Sequence, residues 1–541
     1  MDSSGDPTIE LAISGKGRIS AFLERRQAAA LGAFTLLYAA GYLCEAASRP
    51  MWVDELWTFY LAKTPNTGAI LRAIEDGIEL NPPLSFLLAH AAQALFGASE
   101  AATRLPAIVG FWVMSVALFL FVRRRAGATC GYVAMLLPFF TLAEPHAAEA
   151  RPYALVLGAA ALALLFWQKA EEKEARRYAL PAFAISIAAL VSLHYYALYV
   201  VAAIAVAEAM RVEKNRGQDV WFWVSLAAGC SPLLYLAPVM KRVHAGAAHF
   251  LLTPSLAALS SVYAGLIGPA SVVVFGVIAL AIWPAPERSE ARIARADGSN
   301  LRPHEWFVGV LLLLMPFAAF VLSLSVTNAF MARYVLPVVI GPALLVPVFV
   351  HKIGAACPRL PATAVCVLFG CFSLLQLHKI VDRAVLPSPA ISVQRSVWTQ
   401  TRTDLPLVID DDNQFLRIAH YGTAAMQAQT YFLIDHQLEI KHVGFDTPGR
   451  TMEVGRRLHP LHVVDYTSFV NRRRQFLFLR NSSLMLGWIG RQLLEEGAEM
   501  RLIQFEKQHG YQGEETSVFL VTMPARSAAD GAGPGLKPDA H

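Results

Sequence analysis

The chain has 541 residues, 55% of them hydrophobic and only 16% charged, with a mean hydropathy of +0.43. A water-soluble protein of this length cannot hide so much apolar surface in a core, so the composition excludes a soluble enzyme and requires contact with lipid. The net charge of +5 is small and sits mostly in short loops, which speaks for membrane topology and against a nucleic-acid partner.

Residues 1–27 are polar up to Arg26 and are followed by a long apolar run, the pattern of a cytoplasmic N-terminal segment and an uncleaved first helix. Apolar runs of membrane length follow, at approximately 28–47, 105–122, 128–145, 152–168, 178–194, 197–210, 221–240, 257–283, 305–325, 334–350 and 361–378. The expected fold class is therefore a polytopic α-helical membrane protein with about eleven transmembrane helices in residues 28–379. The six cysteines, Cys44, Cys130, Cys230, Cys357, Cys366 and Cys371, lie in or beside these runs without metal-ligand spacing, and read as small apolar residues.

Basic residues set the orientation. With the N-terminus inside, Lys16, Arg18, Arg25, Arg26, Arg123 to Arg125, Lys169, Lys173, Arg176, Arg177, Arg211, Lys214, Arg216, Arg288, Arg292, Arg295, Arg302, Lys352 and Arg359 fall in cytoplasmic segments. Outer loops carry only Lys63, Arg72, Arg104, Arg151, Lys241, Arg242 and Arg333. An odd number of spans then leaves the C-terminal part extracytoplasmic as well.

The first outer loop, residues 48–104, opens with SRPMWVDELWTFY. Asp54 and Glu55 follow a membrane-length helix by a few residues, in an aromatic frame of Trp52, Trp57, Phe59 and Tyr60. Carboxylates at that depth are costly unless water, substrate or a partner charge meets them, which makes them a candidate site. A solvated loop ending in a helix N-terminal carboxylate accounts for the same residues equally well. Further on, Asn66 to Asp76 and Pro82 to Phe96 read as short interfacial helices, the second started by Pro82 and Pro83.

Two more outer loops bring chemistry to the same side. EPHAAEARPY places His146, Glu149, Arg151 and Tyr153 at the mouth of two spans, and ARYVLP places Arg333 and Tyr334 at the start of another. Each taken alone is an ordinary interface anchor, with arginine snorkelling and tyrosine in the aromatic belt. Together the three loops supply carboxylate, guanidinium and phenol, the groups needed to activate a hydroxyl and hold a phosphate. Lys241, Arg242, His244 and His249 are further candidates for the phosphate, and HYYALY, His194 to Tyr199, reads as a membrane-belt anchor.

Residues 380–524 change texture. Strand-like runs at 405–410, 430–435, 474–480, 500–506 and 517–523 alternate with helical patterns such as Leu484 to Glu496, the signature of a small extracytoplasmic α/β domain. No glycine-rich loop follows the first strand, so nucleotide binding is not supported. Asp410, Asp411 and Asp412 end that strand, as a solvated turn or as ligands of a cation. Residues 525–541 read as a disordered tail.

The ordered set Asp54-Glu55, NPPLSFLL (Asn81 to Leu88), LFGASEAATRLPA (Leu95 to Ala107), EARPYAL (Glu149 to Leu155) and ARYVLP (Ala332 to Pro337) resembles the GT-C superfamily of membrane glycosyltransferases. Within it the match is to the branch of protein O-mannosyltransferases and lipid A aminoarabinose transferases, over residues 28 to about 350. The resemblance implies a sugar donor on a polyprenyl phosphate and an acceptor hydroxyl (lipid, glycan or protein) entering from the extracytoplasmic face of a bacterial inner membrane. It also implies inversion, with Asp54 as general base and Glu55 positioning Asp54 or the acceptor, or helping to bind a divalent cation. Arg151 and Arg333 would hold the donor phosphate, Tyr153 and Tyr334 would donate hydrogen bonds, and His146, Glu149, Asn81, Trp52 and Trp57 would line the pocket. One departure stands out. The aminoarabinose transferases carry a Glu-Lys before the interfacial proline, where this chain has Leu80 and Asn81, with Glu79 and Asp76 the nearest acids. A lipid-linked sugar flippase and a non-catalytic scaffold are the alternatives; the first requires a polar path through mid-membrane, and the second gives Asp54 no chemical role.

Overall fold

The computed structural model describes residues 22–215, 219–246, 254–266, 268, 301–327, 330–356, 360–386, 388–391, 405–481, 487–507 and 515–524. The expected tail at 525–541, most of the N-terminal segment and most of the second half of the 257–283 span lie outside them. The chain divides into two units: residues 1–49 with 57–386, and residues 50–56 with 387–541.

The first unit is helical. Among the described residues seven helices are long and apolar enough to cross a membrane: Gln27–Ser48, Glu100–Phe140, Arg176–Leu193, Val220–Val239, Pro303–Ser325, Ala332–Val350 and Leu360–Val385. The count differs from the eleven expected for identifiable reasons. The runs at 105–122 and 128–145 fall in one stretch, Glu100–Phe140, broken at Gly127, where φ is +81° and only glycine is unstrained. The run at 152–168 forms a helix of 17 residues, Tyr153–Lys169. Helix Leu198–Asn215 carries Glu208, Arg211, Glu213 and Lys214.

Two close approaches fix how these helices meet. A Cβ on Gly158 would lie 2.5 Å from the carbonyl oxygen of Gly110, so helix Tyr153–Lys169 packs backbone to backbone on Glu100–Leu136. Arg104, fully buried, donates from Nη1 to the carbonyls of Ala46 and Arg49 at 2.8 and 2.7 Å. A cation at the C-terminal carbonyls of helix Gln27–Ser48 satisfies acceptors that the helix cannot and complements its dipole. The segment between helices Val53–Ala62 and Glu100–Leu136 holds helix Thr67–Glu75, capped by the Asn66 side chain, and helix Leu84–Phe96 after Pro83.

In the second unit a six-stranded sheet runs in the order β3-β2-β1-β4-β6-β5. Its strands are β1 Leu407–Ile409, β2 Thr430–Ile434, β3 Val463–Asp465, β4 Gln475–Asn481, β5 Glu499–Lys507 and β6 Glu515–Thr522. β1 lies parallel to β2 and β4, β2 parallel to β3, and β6 antiparallel to β4 and β5. Val408, Leu433, Phe476, Phe478, Trp488 and Val521 form its core. The chain moves outward from β1 to β2 and β3, then returns to the other side of β1 with β4, which creates a topological switch point between β1 and β4.

Candidate active site

Asp54 and Glu55 occupy the first turn of helix Val53–Ala62, where unpaired N–H groups and the helix dipole favour negative charge. Val53 N donates to Asn413 Oδ1 at 2.9 Å and Met51 N to the Tyr421 hydroxyl at 2.8 Å. Both acceptors lie on helix Asp412–Tyr421, so segment 50–56 belongs with the sheet unit. Glu55 is fully buried, while Asp54 and Trp52 are half-buried. Burial, followed by the charges of Asp411 and Asp54, pushes the neighbouring Asp412 carboxyl up to about 7. Trp57 is buried in the membrane unit, edge-on to Tyr60 with ring centroids 6.4 Å apart.

A second group assembles within the membrane unit. Pro152 starts helix Tyr153–Lys169 and leaves Arg151 just before it. Arg151 forms an ion pair with Glu79 in which both side chains are more than nine-tenths buried, and its Nη2 makes a second bond to Glu79 Oε2 at 3.4 Å. Asn81 Nδ2 donates to the same oxygen at 3.3 Å. His146 is hydrogen-bonded through Nδ1 to Glu149. Ring contacts then run from His146 to Tyr153 at 5.2 Å, from Tyr153 to His194 at 5.8 Å, and from His194 to Tyr334 at 5.3 Å. Tyr196 closes on Tyr334 at 5.2 Å, and the Arg333 guanidinium lies 5.9 Å from the Tyr334 ring centre.

His194 sits among these residues, buried rather than in a lipid belt. The belt reading is corrected because the backbone leaves the helix at His194 and the ring turns in toward Tyr153 and Tyr334. Burial, with Arg151 and Arg333 adding repulsion, drives its pKa down to about 3, so the ring is neutral at ordinary pH. Its Nδ1 accepts from the Tyr196 N–H at 3.2 Å, which leaves the proton on Nε2.

The structure thus brings Asn81, His146, Glu149, Arg151, Tyr153, Arg333 and Tyr334 into one unit, with Glu79 and His194 added to them. Glu79 was visible only as the nearest acid to the expected Glu-Lys; no local pattern pairs it with an arginine 72 positions away. The Glu79 to Asn81 segment does not fit a metal ion, because its carboxylate already holds a guanidinium and the Asn81 amide donates to it. Lys241 is exposed, and the side chains of Arg242, His244 and His249 lie outside the described residues.

Among the described residues, Glu171, His304 and Glu305 alone group with metal-ligand spacing, their ligand atoms within 4.8 Å of one another. Arg125 takes Glu305 through Nε at 2.9 Å and Nη2 at 2.7 Å, and reaches Glu171 at 2.9 Å. His304 and Arg302 also bond Glu171. With guanidinium on each carboxylate, the group is an ion-pair staple between helix ends and repels a cation.

Residues 81–240 match the family described as dolichyl-phosphate-mannose-protein mannosyltransferase. ArnT from Cupriavidus metallidurans, in a structure bound to undecaprenyl phosphate, is similar with a TM-score of 0.53 and 12% identity, over 90% of this chain and 97% of that one. The apo structure of the same protein gives 0.53 and 14%, over 91% and 98%. These likenesses show a shared fold. No curated protein matches the chain.

Proposed function

We propose that the chain is a membrane glycosyltransferase of the GT-C superfamily that moves a sugar from a polyprenyl-phosphate donor to an acceptor hydroxyl with inversion. One arrangement carries this reading: Tyr153, two residues after Arg151, and Tyr334, next to Arg333, both pack on the buried ring of His194 at 5.8 and 5.3 Å, so two separate loops bring their arginines to one place. Two guanidinium groups converging on one neutral, hydrogen-bonding ring suit a phosphate that must leave with extra charge.

Asp54 takes the proton of the acceptor hydroxyl as its oxygen attacks the anomeric carbon. The bond from that carbon to the phosphate oxygen breaks, and the lipid phosphate departs with the electron pair. Glu79 holds the Arg151 guanidinium through two bonds, so its plane is set before the phosphate arrives. Arg333 supplies the second positive charge, Tyr153 and Tyr334 donate hydrogen bonds from their hydroxyls, and the His194 Nε2–H adds a neutral donor. Glu55 positions Asp54.

The distribution of Lys and Arg supports a cytoplasmic N-terminus and an extracytoplasmic α/β domain in a bacterial inner membrane. The fold shared with ArnT, which binds undecaprenyl phosphate, supports the lipid donor. The test is incubation of the purified protein with radiolabelled polyprenyl-phosphate sugars and a crude envelope acceptor. Label leaving the lipid for the acceptor supports the proposal; a full panel of such donors left intact contradicts it.

A further inference from the structure

Within the membrane unit, helix Leu360–Val385 brings a buried cation to helix Gln27–Ser48. Lys379 is 9% exposed, and its ammonium forms one ion pair with Glu45 and another with Glu144 at 2.8 Å. It also lies 4.5 Å from the centre of the Tyr42 ring, whose hydroxyl donates to the same Glu144 oxygen at 2.9 Å. Arg49 reaches Glu45 at 3.5 Å, so two cations balance two carboxylates. The height of the ammonium is set one turn earlier, at the fully buried Gln376. A Cβ on Gly41 would lie 2.1 Å from the Gln376 Oε1, so the two helices meet there at close range.

Ion pairs taken out of water are a poor source of stability, because desolvation consumes most of the Coulomb gain and apolar residues of similar volume serve as well. What such a knot can supply is register. Tyr42, Glu45 and Lys379 all stand on long helices, whereas Glu144 does not. Between Leu136 and Tyr153 the chain makes only two short helical turns, Leu137–Phe140 and Glu144–Ala148. The second turn carries His146 and leads directly to Glu149 and Arg151. It is fastened at both ends: Glu144 by Lys379 and Tyr42, and the Ala148 carbonyl by Arg49 Nη2 at 2.9 Å.

We propose that Lys379 is a positioning residue for the donor phosphate, which it serves by holding Glu144 and with it the segment that presents Arg151. The assignment rests on the phosphate role given to Arg151 above. Without the ammonium, Glu45 and Glu144 repel each other, and the short turn yields before the helix does. A shift of about 1 Å in a binding group is enough to cost up to about a hundredfold.

The test is titration of the full chain in detergent micelles with undecaprenyl phosphate, alongside melting temperatures. Lys379→Met should weaken binding about tenfold. Glu144→Gln should weaken it similarly while leaving the ammonium paired with Glu45, and Lys379→Arg, which keeps the charge, should restore it. Arg125→Gln breaks the ion-pair staple with Glu171 and Glu305, so it lowers the melting temperature, yet should bind as wild type does. Wild-type affinity in Lys379→Met and Glu144→Gln overturns the proposal. So does a loss in Arg125→Gln equal to that in Lys379→Met, which would mean that affinity only follows stability. A wild-type protein that binds no undecaprenyl phosphate would instead remove the phosphate site itself, and the positioning role with it.

Discussion

Glu79 and Arg151, 72 positions apart, form a buried ion pair that the fold assembles between the segment before Pro82 and the start of helix Tyr153–Lys169. Burying two charges is worthwhile only when each is well met, so neither side chain tolerates loss of the other. The pair brings a guanidinium from the start of a later helix to the segment just before Pro82.

Glu79→Gln leaves the guanidinium without its counter-charge and should cost about 3–5 kcal/mol, read as a lower melting temperature in detergent. Arg151→Gln should cost a similar amount. The double variant should recover part of the loss, with a coupling of about 1–3 kcal/mol. Strictly additive single effects would mean that the two residues do not act as a pair.

Arg333→Ala should weaken binding of a polyprenyl phosphate by about ten- to a hundredfold, measured by titration in micelles. Arg333→Lys should restore only part of it, since an ammonium cannot reproduce the planar donor set. Unchanged affinity in Arg333→Ala would remove this residue from the phosphate site.

The α/β unit should lose stability as pH rises. Burial, countered in part by Arg480, pushes Asp410 up to about 7; burial raises Asp412 to about 7 and Glu439 to about 8. Each acid is therefore protonated in the folded state over a range where the unfolded chain has released its proton. That contribution is complete below about pH 4 and is lost as pH climbs through 7 to 8. Hydrogen exchange across β1 and β2 should be slower at about pH 5 than at about pH 8.5, after correction for intrinsic rates. Asp410→Asn, which fixes a neutral side chain, should flatten the difference. Greater protection at the higher pH would contradict the burial argument.

Much of this was legible because it is local. Five of the six strands announced themselves as β-branched and aromatic runs, whereas β3, Val463–Asp465, is three residues long and has too little pattern to be seen. The helices beginning after Asn66 and Pro83 followed from their starting residues. What was not legible depends on distant partners. His194 and its tyrosines have the composition of a lipid belt, and only the packing of Tyr153 and Tyr334 turns that ring inward. Arg104 counted as one more outer-loop charge, yet it is spent on the carbonyls of Ala46 and Arg49. Asp410 to Asp412 looked like a wet turn because nothing in a run of acids reveals that packing will bury Asp410 and Asp411.

The central claim is that the Asp54 carboxylate removes the acceptor proton, and one variant tests it most directly. Asp54→Asn keeps the size and helix position of the side chain while abolishing its basicity. Turnover of a polyprenyl-phosphate sugar should fall about 10²–10⁴-fold, with lipid-phosphate affinity and melting temperature held at wild-type values. An Asp54→Asn protein that transfers sugar at the wild-type rate would contradict the account.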